Sequence, residues 1–446
     1  MSYELSYSAE AVFNFIYKLI VIKVYINEGN AHIVIAIQEE NPCSTYVLRL
    51  IKEDEDTGDI DEIRKSLDFV NFIMTPLLSN ASDCQLEIIE IPTEALPVLI
   101  NDLRPFRPTE RLFKSHISSY GIKTKNLTIL NPKGVNYCIE IKPKEGFMAP
   151  CFKNYGKCYY CLKQYLKVQK NEISDISKYC PLDLFSGNKD RMKSALFHLS
   201  ENPQNNFKIF KNGQIIFNMP NKDQFKEIIK KMHIFKSTSA FFGFIIETLL
   251  YENKHTQIDN DSDDITFPKE NINCDITSKL NEETLLFKIL RLQRLAEELT
   301  LSTKNLKYMS IDYVSSLLEQ IDPENSLHCD VEQQKFLEKI EPLHKALISA
   351  VAKDCSVMIA FTPQLIVDYE YFIQVGENMI PFMASVTDLE PKLPRVLRKR
   401  KKTEKKLIKL YEEWLKNEGV SIRRMRISFE ILFGYKLNNN LYTSCI

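Results

Sequence analysis

The sequence predicts an α+β protein with two lobes, a small one over residues 1–135 and a larger one over residues 136–446. The chain has 446 residues, which exceeds the length at which a single hydrophobic core stops growing. Short apolar runs with strand periodicity alternate with segments of helical periodicity in both parts. Residues 255–284 are polar with few bulky apolar side chains, so we expect a mobile insertion there. Small ligands usually bind in the cleft between such lobes.

The smaller lobe is predicted to combine strands with one helix. His32–Ile37 and Tyr46–Ile51 have strand patterns. The apolar segment Val12–Ile26 is interrupted by lysines, so we expect a buried strand or helix there and not a signal peptide or a membrane span. The helix after the strands has one apolar stripe, made by Ile63, Leu67, Val70 and Met74.

The larger lobe is predicted to begin with strands and to continue with helices. An Asn212-Gly213 turn joins two strand patterns into a hairpin. A helix runs directly into an apolar strand at Asp354, a junction that exposes a carboxylate. The predicted strands are Leu127–Leu130, Tyr137–Ile141, Phe207–Phe210, Gln214–Phe217 and Val357–Phe361, and the predicted helices are Tyr159–Val168, Leu285–Leu299, Gln333–Ala352 and the segment around Trp414.

The overall charge argues against a generally basic nucleic-acid-binding protein. Lys and Arg number 58 and Asp and Glu number 59, which gives a net charge of −1, so an anion site must come from local clustering. The eleven cysteines are scattered, which indicates reduced thiols and a cytosolic or nuclear location. Cys158 and Cys161 have the spacing of half a zinc site. No second pair follows at a suitable interval, so two buried helical thiols are favoured over a metal site.

Cations and amides recur in patterns that place them on shared faces. Strand alternation, helical spacing and the hairpin each collect such groups on one side. Each pattern alone is also typical of a solvated surface, but together they suit a multiply charged anion. The groups are Lys142 and Lys144, which share one strand face with the acid Glu140 before the strand ends near Pro143, Lys163, Lys167 and Lys170 on the helix, and Asn206 and Lys208 at the hairpin.

Two aspartates have the positions that phosphoryl transfer requires. Asp354 lies at the helix-to-strand junction and Asp388 follows another apolar strand. Such a reaction needs one carboxylate to orient the attacking hydroxyl and another to hold Mg²⁺ against the nucleotide phosphates. Loop aspartates are otherwise usually caps or turn formers. Nearer the amino terminus, Gly29 would let backbone amides approach phosphates, and Arg49 would pair with them.

Together these motifs resemble the inositol-pentakisphosphate 2-kinases. The resemblance implies a protein-kinase-like pair of lobes, a small N-terminal one on the nucleotide side and a C-terminal one that binds the inositide. It also implies transfer of the γ-phosphoryl group of ATP, with Mg²⁺, to the 2-hydroxyl of inositol 1,3,4,5,6-pentakisphosphate, giving inositol hexakisphosphate (phytate). The segments that carry it are Glu140–Phe147, Ser177–Lys189, Gln204–Gly213, Ala352–Ile359, and Asp388 with Lys392.

The resemblance further implies a role for individual residues. Asp354 would orient or deprotonate the 2-hydroxyl, Asp388 would coordinate Mg²⁺, and Lys142 would complete the catalytic set. The substrate phosphates would be bound by Arg111, Lys142, Lys144, Lys167, Asn205, Asn206, Lys392 and Arg395. The nucleotide side would comprise Gly29, Asn30, Ala31, Arg49, Asn131, Glu140 and Lys208.

Other interpretations of the sequence stay open. Asn27 stands where the family commonly has a glycine, which leaves a non-catalytic inositol-polyphosphate-binding or scaffold protein as the alternative. The basic run Arg395–Lys406 is typical of a nucleic-acid, acidic-membrane or nuclear-import segment, but the sequence favours a solvated helix start. We expect a monomer whose partner is a small inositol polyphosphate, with no stable nucleic-acid or membrane partner. No metal beyond Mg²⁺ is implied, because the paired-cysteine insertion of plant members has no counterpart in Asp322–His344.

Overall fold

The computed structural model combines helices with two sheets. Their strand orders are β1-β2-β3-β5-β4 and β8-β7-β6-β10-β12-β11-β9. The pairings are antiparallel except for the short parallel contact between β9 and β11. The structure describes residues 24–29, 31–38, 45–52, 60–78, 85–114, 116–252, 257–258, 274–299, 301–302, 305–321, 327, 329–367 and 369–417.

The first sheet has its own apolar core. Ile33, Ile35 and Ile37 alternate along one strand and are all buried, as period-two side-chain direction requires. Leu99 and Leu103 of helix α3 cover the same core. The elements here are β1 (Val24–Glu28), β2 (His32–Gln38), β3 (Thr45–Lys52), α1 (Ile60–Asp68), α2 (Thr75–Leu78), β4 (Glu87–Glu90), α3 (Leu96–Leu103) and β5 (Ile117–Lys125).

The predicted helical stripe of the first part divides between two cores. Ile63 and Leu67 pack with Ile51 and Ile122 of the first sheet, whereas the second half of the stripe lies in the large core of the second part. Helix α1 continues through a π-helical turn, Phe69–Met74, into α2. Phe69, Ile73 and Leu77 are fully buried there among residues of the second core. Lys65 of α1 also forms a 2.6 Å ion pair with Asp312. The two parts of the chain therefore share one large apolar core on this side.

The second sheet positions most of the charged residues of interest. Ile139 and Ile141 face the large core, whereas Cys138 lies on the opposite face with Phe210 and Met358. The strands are β6 (Tyr137–Ile141), β7 (Phe207–Lys211), β8 (Gln214–Phe217), β9 (Gln257–Ile258), β10 (Ser356–Phe361), β11 (Phe372–Val375) and β12 (Asn378–Thr387). The helices are α4 (Tyr159–Gln169), α5 (Pro181–Leu184), α6 (Lys189–Glu201), α7 (Lys222–Met232), α8 (Thr238–Leu249), α9 (Leu285–Arg294), α10 (Tyr313–Leu318), α11 (Asp330–Lys339), α12 (Pro342–Ala352) and α13 (Arg395–Asn417).

Most predicted elements are confirmed, and three are wrong in informative ways. Leu127–Leu130 is a turn and not a strand, because the Asn126 side chain accepts hydrogen bonds from the Thr128 amide and hydroxyl. The predicted helix Gln333–Ala352 is two helices, since a proline begins α12 and breaks the continuity. The helix from Leu285 ends at Arg294.

Both ends of the predicted insertion 255–284 contact the rest of the protein. Gln257–Ile258 pairs with β11, and Cys274 and Thr284 are buried. Residues 259–273 lie outside the described residues, as does the segment Val12–Ile26 up to residue 23. Within the described part of the chain, none of the helices has the length and apolar character needed to cross a membrane.

Candidate active site

A row of charged side chains lies where β6, β10 and β12 meet. Antiparallel register places Glu140 opposite Met358 and Ser356 opposite Thr387. Glu140 accepts a 2.7 Å hydrogen bond from the Lys208 ammonium, across the β6–β7 ladder. The Ser356 hydroxyl oxygen lies 3.3 Å from the other carboxylate oxygen of Glu140. The alternation predicted for Glu140 and Lys208 therefore brings opposite charges together.

Asp388 continues this row just beyond β12. Its φ of 62° turns the chain out of the strand. Its Oδ2 accepts hydrogen bonds from Lys142 Nζ at 2.6 Å and from the Ser356 hydroxyl at 2.8 Å. Burial raises the pKa of Asp388, but Lys142 and Ser356 outweigh burial and hold the pKa below its usual value. Asp388 is therefore a carboxylate at neutral pH.

Asp354 binds cations from two distant stretches of the chain. Its Oδ1 accepts a 3.2 Å hydrogen bond from Lys144 Nζ, and its Oδ2 lies 3.5 Å from Lys392 Nζ. Burial raises the pKa of Asp354, but these two ammonium groups hold it below its usual value. Asp354 is therefore ionised at neutral pH, and its partly covered side chain is still 57% exposed and so accessible to a ligand.

Lysines of helix α4 add positive charge beside Lys144. Burial first, and then the charge of Lys144, lower the pKa of Lys163. The pKa of Lys167 is lowered by burial and by both of those lysines. A positive charge lowers the pKa of a neighbouring ammonium group only at short range, so Lys163 and Lys167 lie close to Lys144. Lys170, by contrast, forms a 3.4 Å ion pair with Glu172.

The first sheet reaches this cluster through β3. Arg49 donates hydrogen bonds to Glu390 Oε1 at 2.9 Å and to Thr387 Oγ1 at 3.1 Å. The pKa of His32, on the neighbouring strand, is lowered by burial and by Arg49 and is raised in part by Asp388. Residues on β2 and β3 therefore lie close to the segment that carries Asp388.

Comparison with known proteins identifies the protein family of this chain. The family model described as inositol-pentakisphosphate 2-kinase matches residues 25–406. The chain belongs to this family. Three proteins named inositol-pentakisphosphate 2-kinase are similar to it. One from Danio rerio is 26% identical over 87% of this chain and 92% of its own length. One from Arabidopsis thaliana is 26% identical over 64% and 61%, and one from Drosophila melanogaster is 25% identical over 43% and 44%.

Not every residue predicted for this inositol-pentakisphosphate 2-kinase family member lies in the cluster. Asn206 is 1% exposed, and its side-chain amide donates to the Tyr160 hydroxyl at 3.2 Å. Asn131 lies before the first residue of β6, bonded to Gln364, whereas Glu140 lies near the last residue of that strand. Asn205 and Arg395 are exposed, and Asn30 lies outside the described residues.

Arg111 and the glycine turn belong to the first sheet. The charge of Arg111 contributes to the pKa shifts of Tyr25 and Lys52. The backbone oxygen of Gly29 accepts a 2.7 Å hydrogen bond from the Lys52 ammonium, and the oxygen of Ala31 accepts from the Lys52 amide at 2.9 Å. The turn is therefore tied to the last residue of β3.

Sequence reasoning missed residues that the structure shows in the cluster. Ser356 links the Glu140 and Asp388 carboxylates, and Glu390 and Thr387 bind Arg49. Alternation along β10 gave a usable signal, because Ser356 shares a face with Met358, whose β6 partner is Glu140. The link from Arg49 to residues 338 and 341 positions later had no local signal.

The basic run Arg395–Lys406 forms the first half of helix α13. One of its side chains, Arg400, is directed towards the rest of the protein and not into solvent. Arg400 donates 2.6 Å hydrogen bonds to Glu145 and Glu404. Its guanidinium carbon lies 3.2 Å from the centre of the Tyr159 ring. This arginine therefore fastens α13 to α4 and to the loop that carries Lys144.

Four cysteines form a second cluster at the start of α4. The sulfur atoms of Cys158, Cys161, Cys180 and Cys274 all lie within 4.8 Å of one another. The Cys161 and Cys274 sulfurs are 3.7 Å apart, and the Cys158 amide donates to Cys274 Sγ at 3.4 Å. A tetrahedral zinc ion with Zn–S bonds of about 2.3 Å separates its sulfurs by roughly 3.8 Å. The expectation that no second pair accompanies Cys158 and Cys161 is therefore wrong, because Cys180 and Cys274 come from two separate segments of the chain.

Proposed function

We propose that this protein transfers the γ-phosphoryl group of ATP to the 2-hydroxyl of inositol 1,3,4,5,6-pentakisphosphate and so produces inositol hexakisphosphate. The observation that carries the proposal is the convergence of lysines from separate segments on two neighbouring aspartates. Lys142 contacts Asp388, and Lys144 and Lys392 contact Asp354. Family membership and the names of the relatives supply the reaction type.

The charge of the substrate explains why so many lysines are needed. Each phosphate monoester carries about −1.5 to −2 at neutral pH, so five carry roughly −7.5 to −10. Lys142, Lys144 and Lys392 would exchange their carboxylate partners for substrate phosphates. Lys163 and Lys167 repel each other and Lys144, so an anion that binds between them relieves this repulsion. Asn205, Arg111 and Arg395 would complete the substrate contacts.

Asp354 would orient the attacking hydroxyl. Its pKa is lowered, so it is ionised in the resting enzyme and can accept a hydrogen bond from the 2-hydroxyl. As the new oxygen–phosphorus bond forms, the hydroxyl proton passes to the Asp354 carboxylate, and ADP leaves with the electron pair of the broken bond. In kinases such positioning, together with charge stabilisation, accounts for most of the catalysis.

Asp388 fits the requirements of a magnesium ligand. Mg²⁺ prefers carboxylate oxygens and is usually held by one or two carboxylates together with the phosphates of the substrate. Asp388 is half-buried and ionised, and Ser356 fixes its Oδ2. Glu140 lies on the other side of the same serine. When bound, the ion would neutralise the developing charge on the nucleotide phosphates.

The nucleotide would bind between the two parts of the chain, as in a protein-kinase-like pair of lobes divided near residue 135. The Gly29–Ala31 turn and Arg49 would contact its phosphates from the first sheet. Asn131 lies in the connection between β5 and β6, where an adenine could contact the chain. Glu140 and Lys208 would lie between that connection and Asp388.

A product assay tests the proposal. Purified protein, ATP, Mg²⁺ and inositol 1,3,4,5,6-pentakisphosphate should yield the hexakisphosphate. Asp354→Asn should lower kcat by at least about 100-fold while substrate affinity falls much less. Asp223→Asn, at an exposed aspartate of α7, is the matched control and should leave kcat unchanged. Tight binding of the inositide without any product from the wild type would instead support a non-catalytic binding protein.

We further propose that the four-cysteine cluster holds a structural zinc ion. Three of the four cysteines are buried and Cys161 is partly buried, and sulfurs at these separations match a closed tetrahedral site. Structural zinc sites contribute directly to folding. The ion would fix the first residue of α4, and with it the helix that carries Lys163 and Lys167. The cluster also joins Cys274, at the end of the undescribed segment 259–273, to the body of the protein.

Metal analysis of the purified chain tests the zinc proposal. We expect about one zinc per chain in the wild type and a large loss in Cys161→Ser. Cys138→Ala is the matched control, because Cys138 is fully buried but lies in a different cluster. It should lose stability by packing alone and retain the metal. A wild-type protein that stays free of zinc after expression with added zinc would contradict the proposal.

A further inference from the structure

A buried ion cluster in the first sheet has no part in the mechanism above. Glu28, the last residue of β1, is 6% exposed, and its side chain is completely inaccessible. Its carboxylate is bound by the Arg107 guanidinium and by the Lys52 ammonium. Burial raises the pKa of Glu28, but these two cations outweigh it and lower the pKa. The cluster is therefore ionised, and buried charges persist only when they are well paired.

Arg107 binds Glu28 with a two-point geometry. Nε donates to Oε2 and Nη2 donates to Oε1, both at 2.8 Å. The same Nη2 atom also lies 3.0 Å from the carbonyl oxygen of Arg111 and 2.8 Å from that of Lys114. One buried guanidinium thus holds both ends of the segment that carries Arg111. Arginine suits this task because its planar fork fixes direction as well as distance.

Glu28 is also joined to the glycine turn. It immediately precedes Gly29, whose carbonyl accepts the Lys52 ammonium at 2.7 Å. Lys52, itself 2% exposed, binds Glu28 and this carbonyl together. The turn and the Arg111 segment are therefore fixed to one carboxylate. A displacement of either one changes the geometry of the other.

We infer that Glu28 and Arg107 are positioning residues that couple the nucleotide turn to the inositide-binding arginine. The inference rests on the proposed function, which assigns the turn to ATP and Arg111 to the substrate. A nucleotide that binds the turn restricts the position of Glu28, and Glu28 then restricts the position of the Arg111 segment through Arg107. Each ligand consequently raises the affinity of the other. Thermodynamic linkage requires the two effects to be equal.

Binding measurements test the coupling. The dissociation constant for inositol pentakisphosphate is measured with and without a non-hydrolysable ATP analogue and Mg²⁺, and the reverse titration is run in parallel. For the wild type we expect the dissociation constant of each ligand to be about 5-fold or more higher without the other ligand than with it. This ratio should be equal in both titrations. Arg107→Met should bring both ratios close to one.

Two further variants show whether a loss of coupling comes from the geometry of Arg107 or from a loss of folding or of positive charge. Arg107→Lys keeps the charge but cannot span both carboxylate oxygens and the two carbonyls, so it should lose the coupling as well. Because it is the milder change, it also keeps the test available if Arg107→Met does not fold. Arg104→Met, at an exposed arginine three residues earlier, is the control and should keep the wild-type ratio.

The outcomes distinguish this inference from the proposed function. A wild type that forms hexakisphosphate, together with folded Arg107 variants that keep the full ratio, would overturn the coupling alone. A wild-type ratio of one in both directions would overturn it too. Absence of product from the wild type would refute the proposed function, while the ratios would still report on the coupling.

Discussion

Gly146 is the position where the structure gives the most direct prediction. It follows Lys144 by two residues, and its amide donates a 2.7 Å hydrogen bond to the buried Gln293 side chain. Gln293 in turn donates to the carbonyl of Lys144 at 2.8 Å. A Cβ atom at Gly146 would lie 2.3, 2.4 and 2.8 Å from three ring carbons of Phe185, which is fully buried. Gly146→Ala therefore forces either the ring or the loop to move.

The size of the effect follows from this overlap. Contacts this short cannot be absorbed without a shift of about 1 Å, and overpacking of a core typically costs about 1–3 kcal/mol. If the loop moves, Lys144 leaves Asp354 and, under the proposed function, also leaves the substrate. Hydrogen bonds to charged groups contribute about 1.5–3 kcal/mol, so KM for the inositide should rise by roughly 10-fold or more.

A double-mutant cycle with Phe185→Leu separates the clash from other effects. Urea unfolding would be measured for both single variants and for the double variant. Because the smaller side chain removes the ring that Cβ meets, the double variant should be more stable than the sum of the single changes by about 1–3 kcal/mol. Gly29→Ala is the control for stability only, since its Cβ would meet no atom closer than 4.0 Å. Additive free energies, or a Gly146→Ala protein as stable as the wild type, would refute the reasoning.

Two further predictions concern the lysine helix and the response to acid. Lys167→Met should weaken inositide binding about 10-fold or more, whereas Lys170→Met, whose ammonium is already paired with an acid, should have little effect in the same titration. Burial raises the pKa of Glu145, but Arg400 and Lys353 hold it below its ordinary value of 4.5. Its stabilising contribution is therefore present above about pH 4.5 and is lost as the pH falls through the lower pKa of the folded state. Glu145→Gln should flatten the fall in unfolding free energy below pH 4.5, measured by urea titration. An unchanged acid response would contradict this assignment.

Local periodicity predicted much of the site. Alternation predicted the faces on which Glu140 and Lys208 lie within their own strands. The antiparallel pairing of β6 with β7, which the sequence did not predict, then places the two side chains opposite each other. The Asn212-Gly213 turn was equally local, since both residues have positive φ, as a tight hairpin requires. Helical spacing likewise predicted that Lys163 and Lys167 lie together, because residues four positions apart share one face of a helix.

What the sequence could not provide was contact between segments far apart in the chain. The partners of Cys158 and Cys161 come from positions 180 and 274, so no spacing rule could find them. The apolar pattern of Leu127–Leu130 predicted a strand, and its two leucines do pack on Cys138 and Phe210. The side chain of Asn126 nevertheless closes a turn there. Apolar burial and backbone conformation are separate properties, and periodicity reports mainly the first.

The pairing of Asp354 and Asp388 with lysines has a consequence for the enzyme at rest. Both carboxylates are paired with ammonium groups, so under the proposed function neither would present an uncompensated charge to a nucleotide that arrives alone. The phosphates of the inositide would draw the lysines away and release the acids for catalysis. Under the proposed function, this pairing would protect the enzyme against hydrolysing ATP with water before its acceptor binds.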